Sequence, residues 1–579
     1  MPRSEPERTL PPAAGNRRFA ILLAVIFASA LGLRLIGIAW GFPYEFHPDE
    51  SSPVYQAVQF GTGDLNPHNF YKPTAWPYTL FGAFGGYYLV GRVLGAFPTL
   101  AHFEYHYVTA THHFWMIARI LSALFAAATI PLVYKAAALS GRKIGGLLAA
   151  AMLAFSVRHI TASQQGTADA SLAFWTTALL VATLLVVERG RPRDSLLAGV
   201  LLGLACATKY NAILFVPAVA VAHALRSRRE GKPFLRLLDK RAALGALAAC
   251  AAFLVACPWP ILDWEVFRQT AFANVHFART GWWGASEASG WRHYALSTVA
   301  GGEGMPILLA WAAGTIWLFA RRNAVDAVLA TWGAFYFLIV GAMRLVGDRY
   351  FLPALPGVFL VGASLATDLL IALRRRRDLS LVVGAGLVLI LVIPQTPPTL
   401  AYLRLAASRD FRIDARDELV RIIPPGSKVL SDYWCFAPPL EDVRTGRCAQ
   451  VKNWLRTKGL ASLGELGLEE PPPAALYDIT YIDYPWAGAE EAPKILPVAD
   501  YVRAGCRWVI LADSLIEVAL GRREDPRYAP YAEFLEDLRR NAVLVATFRN
   551  RHARAVRGLG LEIPTRIDVY SLAQPESRP

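Results

Sequence analysis

Residues 17–50 read RRFAILLAVIFASALGLRLIGIAWGFPYEFHPDE. Arg17 and Arg18 open the stretch, and an apolar run follows over 19–40. A bilayer takes about 20 mostly apolar residues in a helix, so this run is long enough to span. It carries Arg34 and has no Ala-x-Ala exit, so it reads as an uncleaved signal anchor and not as a leader. His47, Pro48, Asp49 and Glu50 come directly after it. Basic, then apolar, then acidic is an order that puts 1–18 in the cytoplasm as a tail and the two carboxylates outside.

The whole chain fits that start. Of its 579 residues 54% are hydrophobic and 18% charged, with a mean hydropathy of +0.33. Globular chains carry about 25% charge, so a soluble protein of this size could not cover its surface. Disorder, collagen and a small disulfide scaffold are excluded by the same figures, by the lack of a Gly-X-Y period and by only six cysteines. Further apolar runs fall at 114–138, 144–160, 172–187, 195–207, 212–225, 242–262, 305–320, 324–343, 351–373 and 379–393. Lys209, Tyr210 and Asn211 separate the fifth and sixth spans. Basic clusters stand at 17–18, 142–143, 189–193, 226–241, 321–322 and 374–377, in every second connection, which is the positive-inside pattern.

The expected fold is therefore a polytopic α-helical membrane protein with about 11 transmembrane helices, or up to 13 if compensating spans are added. A single extra span at 75–97 would turn every later cluster outward. That Gly- and Tyr-rich segment is expected to be interfacial or re-entrant, within a first outer loop of 41–111. Gly199 and Gly203 read as a helix-packing pair.

From about residue 399 charge returns and the pattern changes. Strands are expected at 428–433, 477–482, 508–512, 542–548 and 567–572, and helices at 415–423 and 528–541. This makes 399–579 an α/β domain, extracytoplasmic because the span count is odd. It has no Gly-rich phosphate loop, and nothing in the chain points to nucleic acid. Cys435 and Cys448 lie there, where oxidation is allowed, and can be paired or free.

The outer connections collect ionisable residues, each a functional candidate at membrane depth. They are Asp49, Glu50, Lys72, Arg119, Arg158, His159, Asp169, Lys209 and Arg349, together with His276, Arg279, Trp282 and Trp283 in the long loop 263–303. Each has a plainer reading. Asp49 could cap a helix, Lys72 and Arg119 could snorkel, and the tryptophans could form an interface belt. His102, Glu104, His106, His112 and His113 invite a metal, but their spacing favours an aromatic loop. Together, a carboxylate and several cations on one face suit a lipid phosphate held by Lys and Arg, with Asp as base on a hydroxyl. If that phosphate carries a sugar, its departure needs charge stabilisation and no general acid.

In order and in face, several motifs resemble the GT-C superfamily of membrane glycosyltransferases, in particular the branch of protein O-mannosyltransferases and lipid A aminoarabinose transferases. They are Asp49-Glu50, Tyr71-Lys72-Pro73, Ala118-Arg119-Ile120-Leu121-Ser122, Thr167-Ala168-Asp169-Ala170, Thr208-Lys209-Tyr210 and Arg349-Tyr350. The resemblance implies a catalytic domain over 19–398 and an inverting transfer of sugar from a polyprenyl-phosphate donor to a hydroxyl acceptor (protein, lipid or envelope glycan) at the outer face of the cell (inner) membrane. It implies that Asp49 is the base, with Glu50 beside it. Lys72, Lys209 and Arg349 would hold the phosphate, and Asp169 would orient acceptor or sugar. Arg119 and Tyr210 would line the substrates, and His276 and Arg279 would sit in a loop closing over them. A divalent cation shared by Asp49, Glu50 and Asp169 is the cofactor such a set would admit. The alternative function is a flippase or exporter of a lipid-linked glycan. Thr74 and Ala75 after Pro73, Asn211 after Tyr210, and Gln164-Gln165-Gly166 depart from the family pattern on the acceptor side.

Overall fold

The computed structural model describes residues 13–232, 239–281, 283, 289–484, 493–552 and 563–572, so Trp282 lies outside the described residues. Helix α1 (Ala13–Leu35) is followed in the first connection by α2 (Pro48–Gln59), α3 (Ala75–Val93) and α4 (Leu100–Thr109). Then come α5 (His112–Leu139), α6 (Lys143–Phe155), α7 (Val157–Ser163), α8 (Asp169–Arg189), α9 (Pro192–Thr208), α10 (Val216–Arg229) and α11 (Lys240–Ala256). The long connection holds α12 (Trp259–Leu262), α13 (Trp264–Thr280), α14 (Gly290–Arg292) and a π-helix, His293–Glu303. Helices α15 (Met305–Ala320), α16 (Ala324–Gly341), α17 (Asp348–Phe351), α18 (Leu355–Leu373) and α19 (Arg377–Val392) complete the bundle.

Every apolar run read from the sequence is thus helical over most of its length. Among the described residues, seven helical segments are long and apolar enough to cross a membrane, or eight if the bent pair α6 and α7 is one span. Helices α9 and α11 have 17 residues and α15 has 16; at 1.5 Å per residue each reaches only about 25 Å. Helix α3 is not among the candidate spans. Exposed Ile21, Leu22 and Val25 on α1 and Leu381, Val382 and Leu389 on α19 form the apolar outside expected of a bundle in lipid.

Local chemistry sets the breaks. Helices α6 and α7 meet at 58° at Ser156, whose hydroxyl caps α7 by accepting from the His159 N–H. The carbonyls freed at the end of α6 go to buried Arg34, which donates to Leu153 at 3.1 Å and Ala154 at 3.3 Å. Helix α8 stops at Gly190, in the left-handed region at φ 62°. A Cβ on Gly199 or Gly203 would strike the α11 backbone at Gly245 or Ala249, so these glycines do serve helix packing.

Not all positive-inside cations are free topology markers. Arg142, 4% exposed, pairs with Asp326 at 2.6 Å and Asp368 at 2.9 Å, and Arg321 joins both carboxylates.

After α19, α20 (Thr396–Ala407) still packs on the bundle through Tyr402, Leu403 and Ala406 against Val157 and Ile160. The α/β part has α21 (Phe411–Ile422), β1 (Lys428–Ser431), β2 (Glu441–Asp442), α22 (Arg447–Lys458), β3 (Leu476–Tyr481), α23 (Val498–Arg503), β4 (Cys506–Ala512), α24 (Asp513–Gly521), α25 (Ala529–Asn541), β5 (Val543–Arg549) and β6 (Arg566–Ser571). The sheet order is β2-β3-β1-β4-β6-β5. The first four strands are parallel and β6 runs antiparallel to both β4 and β5. No disulfide joins Cys435 and Cys448 in the structure.

Several contacts tie the parts together, among them Arg412 over the Phe46 ring. Trp283 is 1% exposed and sits in the core of the α/β domain, 4.9 Å from the Tyr528 ring and 5.1 Å from that of Tyr484. Its indole N–H donates to the Arg527 carbonyl at 3.0 Å. The interface-belt reading is therefore corrected for Trp283: it fills a protein core. Helix α4 meets α22, where Glu104 pairs with Lys458 at 2.5 Å and accepts from the Trp454 indole at 3.2 Å.

Candidate active site

His47, not Asp49, caps α2: its Nδ1 accepts from the Asp49 N–H at 3.2 Å, and Pro48 occupies the first turn, where no donor is needed. That leaves the Asp49 carboxylate free to face other elements. Lys72, on the loop before α3, donates to its Oδ1 at 2.6 Å, and Arg349, on α17, pairs with its Oδ2. Asp49 is 25% exposed, Arg349 26% and Lys72 34%. Burial alone would raise the Asp49 pKa; the Arg349 and Lys72 cations outweigh it and hold the carboxyl well below its usual range. Lys72 is therefore not a snorkelling surface charge.

A second pair stands beside the first. Lys209, at the end of α9, donates to Asp169 at 2.5 Å, and Thr167 donates to the other oxygen at 3.1 Å. The Tyr350 ring joins the two sets, with Lys209 Nζ 5.0 Å and the Arg349 guanidinium carbon 5.4 Å from its centroid. Tyr210 donates to the Phe70 carbonyl at 3.0 Å, bracing the loop that carries Lys72. Asn211 donates to Tyr336 at 2.7 Å, and Tyr336 donates to the Tyr350 carbonyl at 2.7 Å, so this departure from the family pattern supports the floor of the site.

Glu50 is a different object. It is 1% exposed and holds Arg119, 2% exposed, through two parallel bonds of 2.8 Å and 2.7 Å. The Gly166 N–H donates to the same carboxylate at 2.5 Å. Arg119 gives both Nη1 hydrogens to the Ile38 and Trp40 carbonyls and lies 4.4 Å from the Phe42 ring centroid. Burial pushes Glu50 up, Arg119 pulls it further down, and the net shift is downward.

His276 and Arg279 are exposed on α13 and, among the described contacts, do not join the ion pairs. The histidines after α3 form an aromatic cluster, His106 and His113 stacking at 4.8 Å. Asp49, Glu50 and Asp169 each face cations and do not converge on a common ion. Among the described residues no group of three His, Cys, Asp or Glu side chains could hold a metal.

Several participants escaped the sequence reading. Asp348, next to Arg349, pairs with Arg158 at 2.7 Å and with His293 at 3.1 Å. Glu45, between α1 and α2, has one buried carboxylate oxygen without a hydrogen-bond partner, and burial pushes its pKa up to about 8. The available signal was an acidic residue flanking a motif, which is weak by itself. Beside the site a cavity of about 340 Å³ is lined by Trp76, Phe125, Trp175, Leu204 and, next to the charged pair, Ser171 and Thr208.

Residues 109–259 match the family model of dolichyl-phosphate-mannose-protein mannosyltransferases. A Pseudomonas aeruginosa protein, undecaprenyl phosphate-alpha-4-amino-4-deoxy-L-arabinose arabinosyl transferase, is 31% identical over 288 residues, which is 44% of this chain. The chain spans about half the length of that relative, 49%. Among solved structures, ArnT from Cupriavidus metallidurans bound to undecaprenyl phosphate is 15% identical with a TM-score of 0.46, over 98% of this chain and 100% of that one. The oligosaccharyltransferase AglB from Archaeoglobus fulgidus, in complex with an inhibitory peptide and a dolichol-phosphate, is 12% identical with a TM-score of 0.49, over 98% and 75%. The family model and the curated relative both indicate the GT-C glycosyltransferase superfamily, the one that the motifs at Asp49, Lys72, Asp169, Lys209 and Arg349 resemble.

Proposed function

We propose that this chain is an inverting glycosyltransferase that moves a sugar from a polyprenyl-phosphate donor to a hydroxyl acceptor at the outer face of the membrane. The observation that carries this is Asp49 gripped by Lys72 and Arg349, with Lys209 beside them on Tyr350. A carboxylate so paired is a poor base. When the donor phosphate arrives, it competes for the same cations. As they turn to it, the Asp49 pKa rises toward its ordinary value and the carboxylate becomes free to accept the acceptor proton.

The transfer balances without a further reactant. The acceptor O–H gives its proton to Asp49, and its oxygen attacks the anomeric carbon. The bond from that carbon to the phosphate oxygen breaks, with its electron pair leaving on polyprenyl phosphate. Lys72, Lys209 and Arg349 hold the charge that develops there. In-line attack inverts the anomeric centre.

The apolar cavity between α3, α5, α8 and α9 supports a lipid donor, since it could seat isoprenoid carbon beside the cations. Glu50 and Arg119 act in this reading as the clamp that fixes α2, and so Asp49, to α5 and to the 166–169 turn. Three carboxylates each facing a cation do not fit a shared divalent ion, so no step is routed through one.

The test offers purified protein a panel of polyprenyl-phosphate pentoses and hexoses with hydroxyl acceptors, reading polyprenyl phosphate release. Release with one donor class supports the proposal. Movement of intact labelled lipid across liposomes without release would favour a flippase.

A further inference from the structure

The turn that carries Arg349 is held from outside the site. Asp348, its first residue, receives Arg158 Nη1 at 2.7 Å, His293 Nε2 at 3.1 Å and Thr298 Oγ1 at 2.6 Å. Two of these donors belong to the π-helix at the end of the long connection. Its last residue, Glu303, is fully buried and accepts from Ser156 Oγ at 2.7 Å and from the Arg158 N–H at 3.3 Å. His293, Thr298 and Glu303 are each five residues apart. In an α-helix that spacing scatters side chains around the axis; a π-helix, bonded i to i+5, brings them toward one face. The irregular helix thus presents one polar stripe to Asp348 and to the bend between α6 and α7. On the other side Tyr294 stacks on Phe351 at 5.4 Å, and Tyr336 donates to the Tyr350 carbonyl at 2.7 Å.

We infer that Asp348 is a positioning residue for Arg349, and that the long outer connection acts on the site through its π-helix rather than through contacts of His276 and Arg279. The inference rests on the reading of Arg349 as a holder of the donor phosphate. Arg349 must leave Asp49 for an incoming phosphate and still stop at one place. Arg349 stands on the first turn of the continuous helical stretch Asp348–Leu373, and helix ends fray; a misplacement of about 1 Å can cost on the order of 100-fold in rate. Asp348, pinned by three donors, fixes the backbone from which Arg349 reaches.

The experiment measures binding of undecaprenyl phosphate to the purified full-length protein. Asp348→Asn and Thr298→Val are each expected to weaken binding about tenfold. In an Arg349→Lys background, Asp348→Asn should then weaken it less than about twofold further, because the two act as one unit. Thr298→Val leaves all charges in place and serves if Asp348→Asn fails to fold. Independent, multiplicative losses would overturn the inference, since Asp348 would then act without Arg349. If the wild-type protein does not bind undecaprenyl phosphate, the phosphate reading of the site falls. The positioning claim is then judged by hydrogen exchange over 347–352: faster exchange in Thr298→Val supports it, and unchanged exchange overturns it.

Discussion

Asp49 and Glu50 are neighbours on the first turn of α2, yet one is 25% exposed and the other 1%. Glu50 meets a single guanidinium in a two-bond fork plus a backbone amide, all buried. Asp49 meets two cations from two separate elements, and both are partly open. A buried, saturated pair cannot release its partner without stranding a charge. A partly exposed carboxylate shared by two cations can exchange them for another anion. Under the proposed function the dipeptide divides its labour: one carboxylate fastens the helix, the other is left available for chemistry.

The sharpest way to break this contrast is to neutralise each carboxylate in turn. Asp49→Asn should lower polyprenyl phosphate release by about 10³-fold, with a smaller fall in melting temperature than Glu50→Gln, as read by a release assay beside a thermal scan. Glu50→Gln should do the reverse. Leaving Arg119 buried without its partner should cost about 3–5 kcal/mol of stability, while the fraction that remains folded keeps most of its turnover. Equal loss of turnover in the two folded variants would erase the distinction. Trp283→Ala probes a third environment. Emptying its slot among Tyr484, Tyr528 and Tyr531 should cost about 3 kcal/mol in the α/β domain, seen as early proteolysis or unfolding of that domain before the bundle.

The smallest effect concerns pH. Asp49 has a depressed pKa, so its ion pairs stabilise the fold above the ordinary aspartate value of 3.8 and are lost only as pH falls below it. Glu45 has the opposite sign. Its pKa is raised from 4.5 to about 8, so the folded state binds the extra proton and stability declines as pH rises through that window. Glu45→Gln should flatten the decline of melting temperature between about pH 5 and 8; an unaltered slope would mean that Glu45 carries no proton in the folded protein.

Much of this fold was legible because bilayers impose simple rules. Runs of apolar residues gave the helices, and the five main strands of the α/β domain appeared as short β-branched runs near Lys428, Tyr477, Trp508, Val543 and Ile567. The number of helices that cross was less legible: α9, α11 and α15 are apolar but short, and the positive-inside pattern counts connections and not lengths. Lys72, Arg119, Lys209 and Arg349 could be picked out as cations expected on the outer side, against the positive-inside pattern. Their pairings could not, because partners such as Asp49 and Arg349 lie 300 residues apart. Nor could sequence separate Asp49 from Glu50, since adjacent residues on a helix start differ only in which way the helix is turned. Trp283 looked like a belt residue because its acceptor core lies some 200 residues later. Arg34 was legible only as a mark against a cleaved leader, and is the donor that satisfies a broken helix.

The central claim is that the cations around Asp49 are exchangeable and are meant for a phosphate. A structure of the full-length protein with undecaprenyl phosphate tests it most directly. The account predicts the phosphate within hydrogen-bond distance of Lys72 and Arg349, the Asp49 carboxylate released toward the acceptor side, and the Glu50–Arg119 fork unchanged. A lipid bound elsewhere, with Lys72 and Arg349 still on Asp49, would contradict it.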